Sequence, residues 1–199
     1  TGDPRFRHIA MLHADTAQKY FVRPDGSVNH IIEFNPETGE FVRAYGGQGY
    51  TEGSSWTRGQ GWGVYGFMIS YIHTGKQEYF DTAKRIAHYI MANIPDSGII
   101  PVDFRQPKEP AWEDSCAACV IANGLIEIAK HVPELEKDMY IRAAVKILKA
   151  IDKTRANWGT DCDSIVLNCT GAYHSPDHHF TMVYADFYFI EAVLKLRGN

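Results

Sequence analysis

Apolar residues recur at helical spacing in six stretches, 5–20, 57–74, 77–93, 114–131, 137–153 and 181–197. The helix punctuation agrees with them. Asp3-Pro4 is a helix entry, Thr74-Gly75 a helix stop, and Pro133 parts the fourth helix from the fifth. Between the first two helices, Ser27 to Phe34 and Glu40 to Tyr45 are extended runs flanking the turn Asn35-Pro36-Glu37-Thr38-Gly39, which predicts a β-hairpin. Residues 155–180 are irregular and polar, as suits a functional loop.

An internal repeat organises the helices. Thr1-Gly2-x-x-x-Phe6-x-x-x-Ala10 matches Thr74-Gly75-x-x-x-Tyr79-x-x-x-Ala83, and Tyr140-x-x-x-Ala144 is a weaker third copy. A long period of helix pairs reads as an α/α array, in which each pair buries its apolar face against its neighbours. The helices at 57–74 and 114–131 carry small residues and unusual polar groups, as an inner layer would. The repeated helices carry more charge, as an outer layer would. The helix at 181–197 is apolar and aromatic, like an inner one. The first repeated helix lacks an inner partner before it. The expectation is therefore an all-α fold, about half of an (α/α)6 toroid with a short β-hairpin, in one domain spanning 1–199.

Charge and composition remove several classes. The net charge is −4, and the lysines and arginines form no basic stripe, which argues against nucleic acid. No apolar run is long enough to span a bilayer, and no signal peptide opens the chain. Cys116 and Cys119 form C-A-A-C inside an alanine-rich helix, where a small buried residue is a better reading than a redox pair. Cys162 and Cys169 lie in a loop and could pair after export.

Candidate chemistry concentrates between Gln48 and Phe67. Gln48, Trp56, Arg58, Gln60 and Trp62 fall within fifteen positions. Indole faces stack on sugar rings, a guanidinium grips a carboxylate, and Gln side chains meet hydroxyls, so the mix suits an acidic carbohydrate. Trp56 and Trp62 also suit a core; beside Arg58 and Gln60 on a glycine-rich segment, a pocket role is favoured. Gly61-x-Gly63-x-x-Gly66 matches a dinucleotide fingerprint in form, but no strand precedes it. Those glycines read as close helix packing or as room for a sugar. His174, Asp177, His178 and His179 form the best metal candidate, at a spacing that fits no strong motif, so a structural or substrate-loop role is expected.

In order along the chain stand His13-Ala14-Asp15-Thr16, V-R-P-D-G-S-V-N-H, F-N-P-E-T-G-E-F, G-Q-G-Y and S-S-W-T-R-G-Q-G-W-G-V-Y-G-F. I-P-V-D-F, E-D-S-C-A-A-C and Y-A-D-F-Y-F-I-E-A follow. This series resembles the unsaturated glucuronyl hydrolases, glycoside hydrolase family 88, over essentially the whole chain. The rhamnogalacturonide-specific cousins usually carry Asn where Gln60 stands.

The resemblance implies an (α/α)6 barrel whose inner-helix funnel binds an unsaturated uronyl oligosaccharide and releases its 4,5-unsaturated uronic acid, in bacterial cytoplasm or periplasm. It implies that His30 and Gln48 hydrogen-bond substrate and water, that Arg58 and Trp62 contact substrate, and that Trp56 walls the sugar pocket. No metal or cofactor is implied. The family's catalytic aspartate lies upstream of the His13 motif, so no catalytic residue is expected in this chain, whose partner would be the missing N-terminal half of the barrel. Asp15, Asp103 and Asp114 read as caps and turns. A non-catalytic uronide-binding fragment and an unsaturated rhamnogalacturonyl hydrolase are the alternatives.

Overall fold

Asp3 caps the first helix with its own carboxylate, which accepts the Arg5 N–H at 2.9 Å, and Pro4 occupies the first turn, where its missing N–H costs nothing. The computed structural model describes residues 2–198. Along them run α1 (Pro4–Phe21), β1 (Ile31–Phe34), β2 (Phe41–Tyr45), α2 (Thr57–Thr74), α3 (Gln77–Asn93), α4 (Ser115–His131), α5 (Glu134–Thr154) and α6 (Val183–Leu196). The predicted bounds of α2 and α3 coincide with these. Gly75 ends α2 in the left-handed conformation, φ 72°, returning its N–H to the Tyr71 carbonyl.

Two boundaries differ from the sequence reading by three residues or more. The strand predicted from Ser27 begins only at Ile31. Asp25 and Gly26 fold the chain back first, so that Val28 pairs with Val22 and the Arg23 N–H reaches the Ser27 carbonyl. Helix α5 starts at Glu134, because Pro133 serves as its N-cap and two glutamates favour its first turn. The hairpin pairs Ile31 with Tyr45 and Glu33 with Arg43 in antiparallel register, with a bulge between Glu33 and Phe34. The segment 155–180 has no helix, but Ala156 pairs with Val166 and Cys169 with Phe180.

The two layers are as the repeat implies. Helix α4 packs on α2, α5 and α6, and every residue from Ser115 to Ala129 is buried. Small residues permit that depth. A Cβ on Gly61 would meet the Val120 side chain at 3.2 Å, and one on Gly124 would meet Val64 at 2.6 Å. The remaining glycines of the fingerprint-like run divide: Gly63 faces Ile86, and Gly66 faces open space. The repeated tyrosines latch the outer layer. Tyr79 and Tyr140 are wholly buried. The Tyr79 hydroxyl reaches back to α1, at Asp15 (2.7 Å) and the Met11 carbonyl, and the Tyr140 hydroxyl reaches back to His88 of α3 at 2.9 Å. Phe6, the matching residue of α1, is 61% exposed.

Cys116, Cys119 and Cys169 are buried free thiols, whereas Cys162 is exposed. Cys162 and Cys169 are therefore unpaired. Burial pushes all three buried thiols up, Cys169 to about 12.

Candidate active site

Three inner helices begin at the same end of the molecule. The first residues of α2 and α4 and the loop leading into α6 meet around Arg58, and the hairpin and the Gly46–Ser55 loop close beside them. Between α1 and the exposed side of α2 runs a groove of about 700 Å³. His30, Trp56, Trp62 and Asn29 line it at the hairpin end, and Gly59, Gly63 and Gly66 form much of its floor. Glycine leaves that floor low, since Gly66 has nothing within reach of a Cβ. A second cavity of about 160 Å³, more polar, lies on the other side of His30 and Trp56.

His30 is the best defined of the expected residues. Its ring sits 4.3 Å from the Trp56 ring, centroid to centroid. Its Nδ1 accepts the backbone N–H of Gln48 at 3.1 Å. That bond requires an unprotonated Nδ1, so the proton of the neutral ring sits on Nε2, which is left as a donor. Burial holds the imidazole below its ordinary value, the field of Arg58 adds to this, and the side chain of Gln48 pulls the other way. Gly47 makes the approach possible, because a Cβ there would fall 2.5 Å from Nδ1.

Gln48 stands one contact behind His30 and does not line the groove. Its Nε2 donates to the Gly171 carbonyl at 2.5 Å, and its own carbonyl accepts the Tyr173 N–H at 2.8 Å. The C-terminal loop therefore touches Gln48, the residue behind His30. In that loop His174 Nε2 meets the Tyr50 carbonyl at 2.7 Å, and His178 stacks on Trp112 at 4.0 Å. Among the described residues no group of three His, Cys, Asp or Glu side chains could hold a metal ion.

Arg58 is placed differently from a simple substrate contact. It is 4% exposed and lies below Trp56, with its guanidinium 5.2 Å from that ring. Nε donates to Asp114 Oδ2 at 2.8 Å, Nη1 to the Tyr184 hydroxyl at 3.1 Å, and Nη2 to the Thr170 carbonyl. Three of its five N–H groups are therefore taken, which leaves two. Asp114 is wholly buried, caps α4 through the Cys116 N–H, and is the counter-charge of Arg58. Burial raises its carboxyl while the guanidinium pulls the other way.

Trp56 is 7% exposed, and its Nε1 has no hydrogen-bond partner among the described residues. Trp62 is more open and rests edge-on against Tyr188 at 5.4 Å. Gln60 is buried outside the groove and ties α2 to the Val28 carbonyl at 3.3 Å. Asp15 accepts from Lys76 and Tyr79, and Asp103 gathers a loop. Asp15, Asp103 and Asp114 are all engaged in structural bonds. Sequence reasoning missed Asn29, which lines both cavities, and Tyr184, which the Arg58 bond draws into the site. Both lie inside motifs already singled out, but no local pattern reports which way their side chains turn.

No protein-family model matches the chain. Among curated proteins, an unsaturated glucuronyl hydrolase of a Bacillus species is 37% identical over 98% of this chain and 53% of its own length. The crystal structure of unsaturated glucuronyl hydrolase from Bacillus sp. GL1, described as responsible for glycosaminoglycan degradation, superposes with a TM-score of 0.93 at 35% identity, over all of this chain and 54% of that one. A mutant unsaturated glucuronyl hydrolase from Streptococcus agalactiae, complexed with dGlcA-GalNAc6S, superposes with a TM-score of 0.86 at 27% identity, over 98% of this chain and 53% of that one. The chain thus spans about half the length of the relatives it matches.

Proposed function

The chain belongs to the unsaturated glucuronyl hydrolases, glycoside hydrolase family 88, and forms about half of their α/α toroid; from this we propose that it is the C-terminal part of an enzyme removing 4,5-unsaturated uronic acid from lyase-generated oligosaccharides. The observation that carries the reading is His30. It is a neutral imidazole with a fixed tautomer, against an indole, at the head of a groove floored by glycine.

The substrate is a vinyl ether conjugated to a carboxylate. Its hydrolysis begins with a proton on C4, which leaves an oxocarbenium-like centre at C5. Water adds at C5, and the resulting hemiketal opens to release the remaining sugar. His30 Nε2–H orients the water or a substrate hydroxyl, and the Trp62 face supports the ring. Gln48 acts by holding His30, with its own Oε1 left to accept. Arg58 supplies positive charge from below, through its two remaining N–H groups and its field, where the uronate sits. The proton must come from a carboxylic acid with a raised pKa. Asp103 and Asp114 are buried and fully engaged, so we assign that role to an aspartate on the toroid's remaining inner helices, by resemblance.

The test follows the absorbance of the conjugated alkene while unsaturated disaccharides meet this chain, alone and with the preceding half added. Loss of signal only with both halves is the expected result. Loss with this chain alone would overturn the assignment of the acid. No loss with both halves folded would leave a uronide-binding fragment. In the joined enzyme, His30→Ala should lower turnover by about 10²-fold. Trp62→Ala should weaken disaccharide binding, read by titration with this chain alone.

A further inference from the structure

The segment Gly46–Ser55 contains neither helix nor strand, yet it carries Gln48 and closes over His30. Asp103 is what it closes around. The carboxylate is 0% exposed and collects four donors. Oδ2 accepts the Tyr50 N–H at 3.0 Å and the Ser54 hydroxyl at 2.5 Å; Oδ1 accepts the Ser55 N–H at 2.9 Å and the Arg105 N–H at 2.8 Å. Three of the four come from the loop. Among the described residues no lysine or arginine side chain bonds this carboxylate, so backbone dipoles and a hydroxyl satisfy a buried anion.

The fit leaves no slack. A Cβ on Gly49 would lie 2.6 Å from Oδ2. The strand-like backbone around Asp103 adds two further bonds, Phe104 N–H to the Ser55 carbonyl and Thr57 N–H to the Val102 carbonyl, each at 3.0 Å. From the anchored Tyr50 N–H it is two residues back to the Gln48 N–H, the group that sets the proton on His30.

We propose that Asp103 is a positioning residue: by gathering the Gly46–Ser55 loop it holds the Gln48 N–H on His30 Nδ1 and keeps the imidazole in its Nε2–H form. Its meaning for catalysis rests on the reading that His30 faces the uronide. Replacement by Asn keeps the shape but turns one acceptor oxygen into a donor, which then confronts N–H or O–H groups instead of receiving them. The loop loosens, the Gln48 N–H leaves Nδ1, and the ring is free to take either tautomer.

The experiment uses this chain labelled with ¹⁵N at histidine and reads the two ring-nitrogen shifts of His30 at pH 7.5. The unaltered chain should show the Nε2–H form. Asp103→Asn should lower the ratio of the two forms by about tenfold, the scale of one lost hydrogen bond. Gly49→Ala, which leaves the carboxylate intact and pushes the loop off it, should do the same and carries the test if Asp103→Asn does not fold. Ile147→Val, a core change in α5, should leave the ratio alone. A folded Asp103→Asn or Gly49→Ala variant that keeps one tautomer overturns the proposal, as does an equal shift in Ile147→Val. The measurement needs no substrate, so its failure is distinct from a failure of the proposed activity.

Discussion

Two buried charges at the helix starts make Arg58 a sharp probe of single residues. Replacing it with Met leaves Asp114 charged and unpaired in a site with no exposure. The loss of stability should be about 3–5 kcal/mol. Since burial raises the Asp114 carboxyl, the orphaned group takes a proton more readily, and the loss should be smaller at pH 5 than at pH 8. Denaturation at the two values measures this. His30 predicts the opposite trend in the unaltered chain. Its folded-state value lies below 6.5, so on acidification the unfolded chain takes the proton first. The stability is present above about pH 6.5 and falls as pH drops from there toward the folded value. His30→Gln should flatten that decline between pH 7.5 and 5.5; an equal slope in both proteins would remove the argument. From the Gln48–Phe67 run, Trp56 and Trp62 do line the groove, where large rings beside glycines suggested a pocket. The depth of Arg58 was not legible in the sequence. Its partners Asp114, Thr170 and Tyr184 lie 56, 112 and 126 residues away, and no local pattern reports such closures.

Glycine sets the spacing between whole helices. Gly124 faces Val64 and the Tyr65 backbone across the α2–α4 contact, where a methyl group has no room. Gly124→Ala should cost about 1–3 kcal/mol through overpacking. Gly66 is its control on α2, with open space beyond it. Gly66→Ala should be neutral or stabilise by about 0.5–1 kcal/mol, because glycine is a poor helix former. A thermal melt of the two variants separates close packing from propensity. At this scale the chain was readable. Capping groups mark the start of α1 and the end of α2, because Asp, Pro and left-handed Gly act within a few residues of themselves. The start of β1 was misplaced because the Asp25–Gly26 turn draws Val28 to Val22, a pairing that an extended-looking run does not disclose.

Across the whole molecule, the arc of helices has two bare apolar flanks. Phe6, Ile9 and Leu12 on α1 are more than half exposed, and Phe187, Ile190 and Leu194 show on α6. Trp158 and Phe189 border a further groove of about 440 Å³ between α5 and α6. Contiguous apolar surface of this kind drives association. The chain on its own should scatter light increasingly with concentration, and Ile9→Lys combined with Phe187→Lys should suppress that; unchanged scattering would show the flanks to be inert.

The four thiols make the molecule its own counter of open states. Cys162 lies in solvent, whereas Cys116 and Cys119 in α4 and Cys169 in the loop before α6 are buried with their ionisation suppressed. A thiol-specific reagent at neutral pH should therefore tag one cysteine per folded chain at once. The other three wait until α4 and its neighbouring loop part. The mass gained with time then gives the opening rate of the inner layer, without denaturant and without a reporter dye.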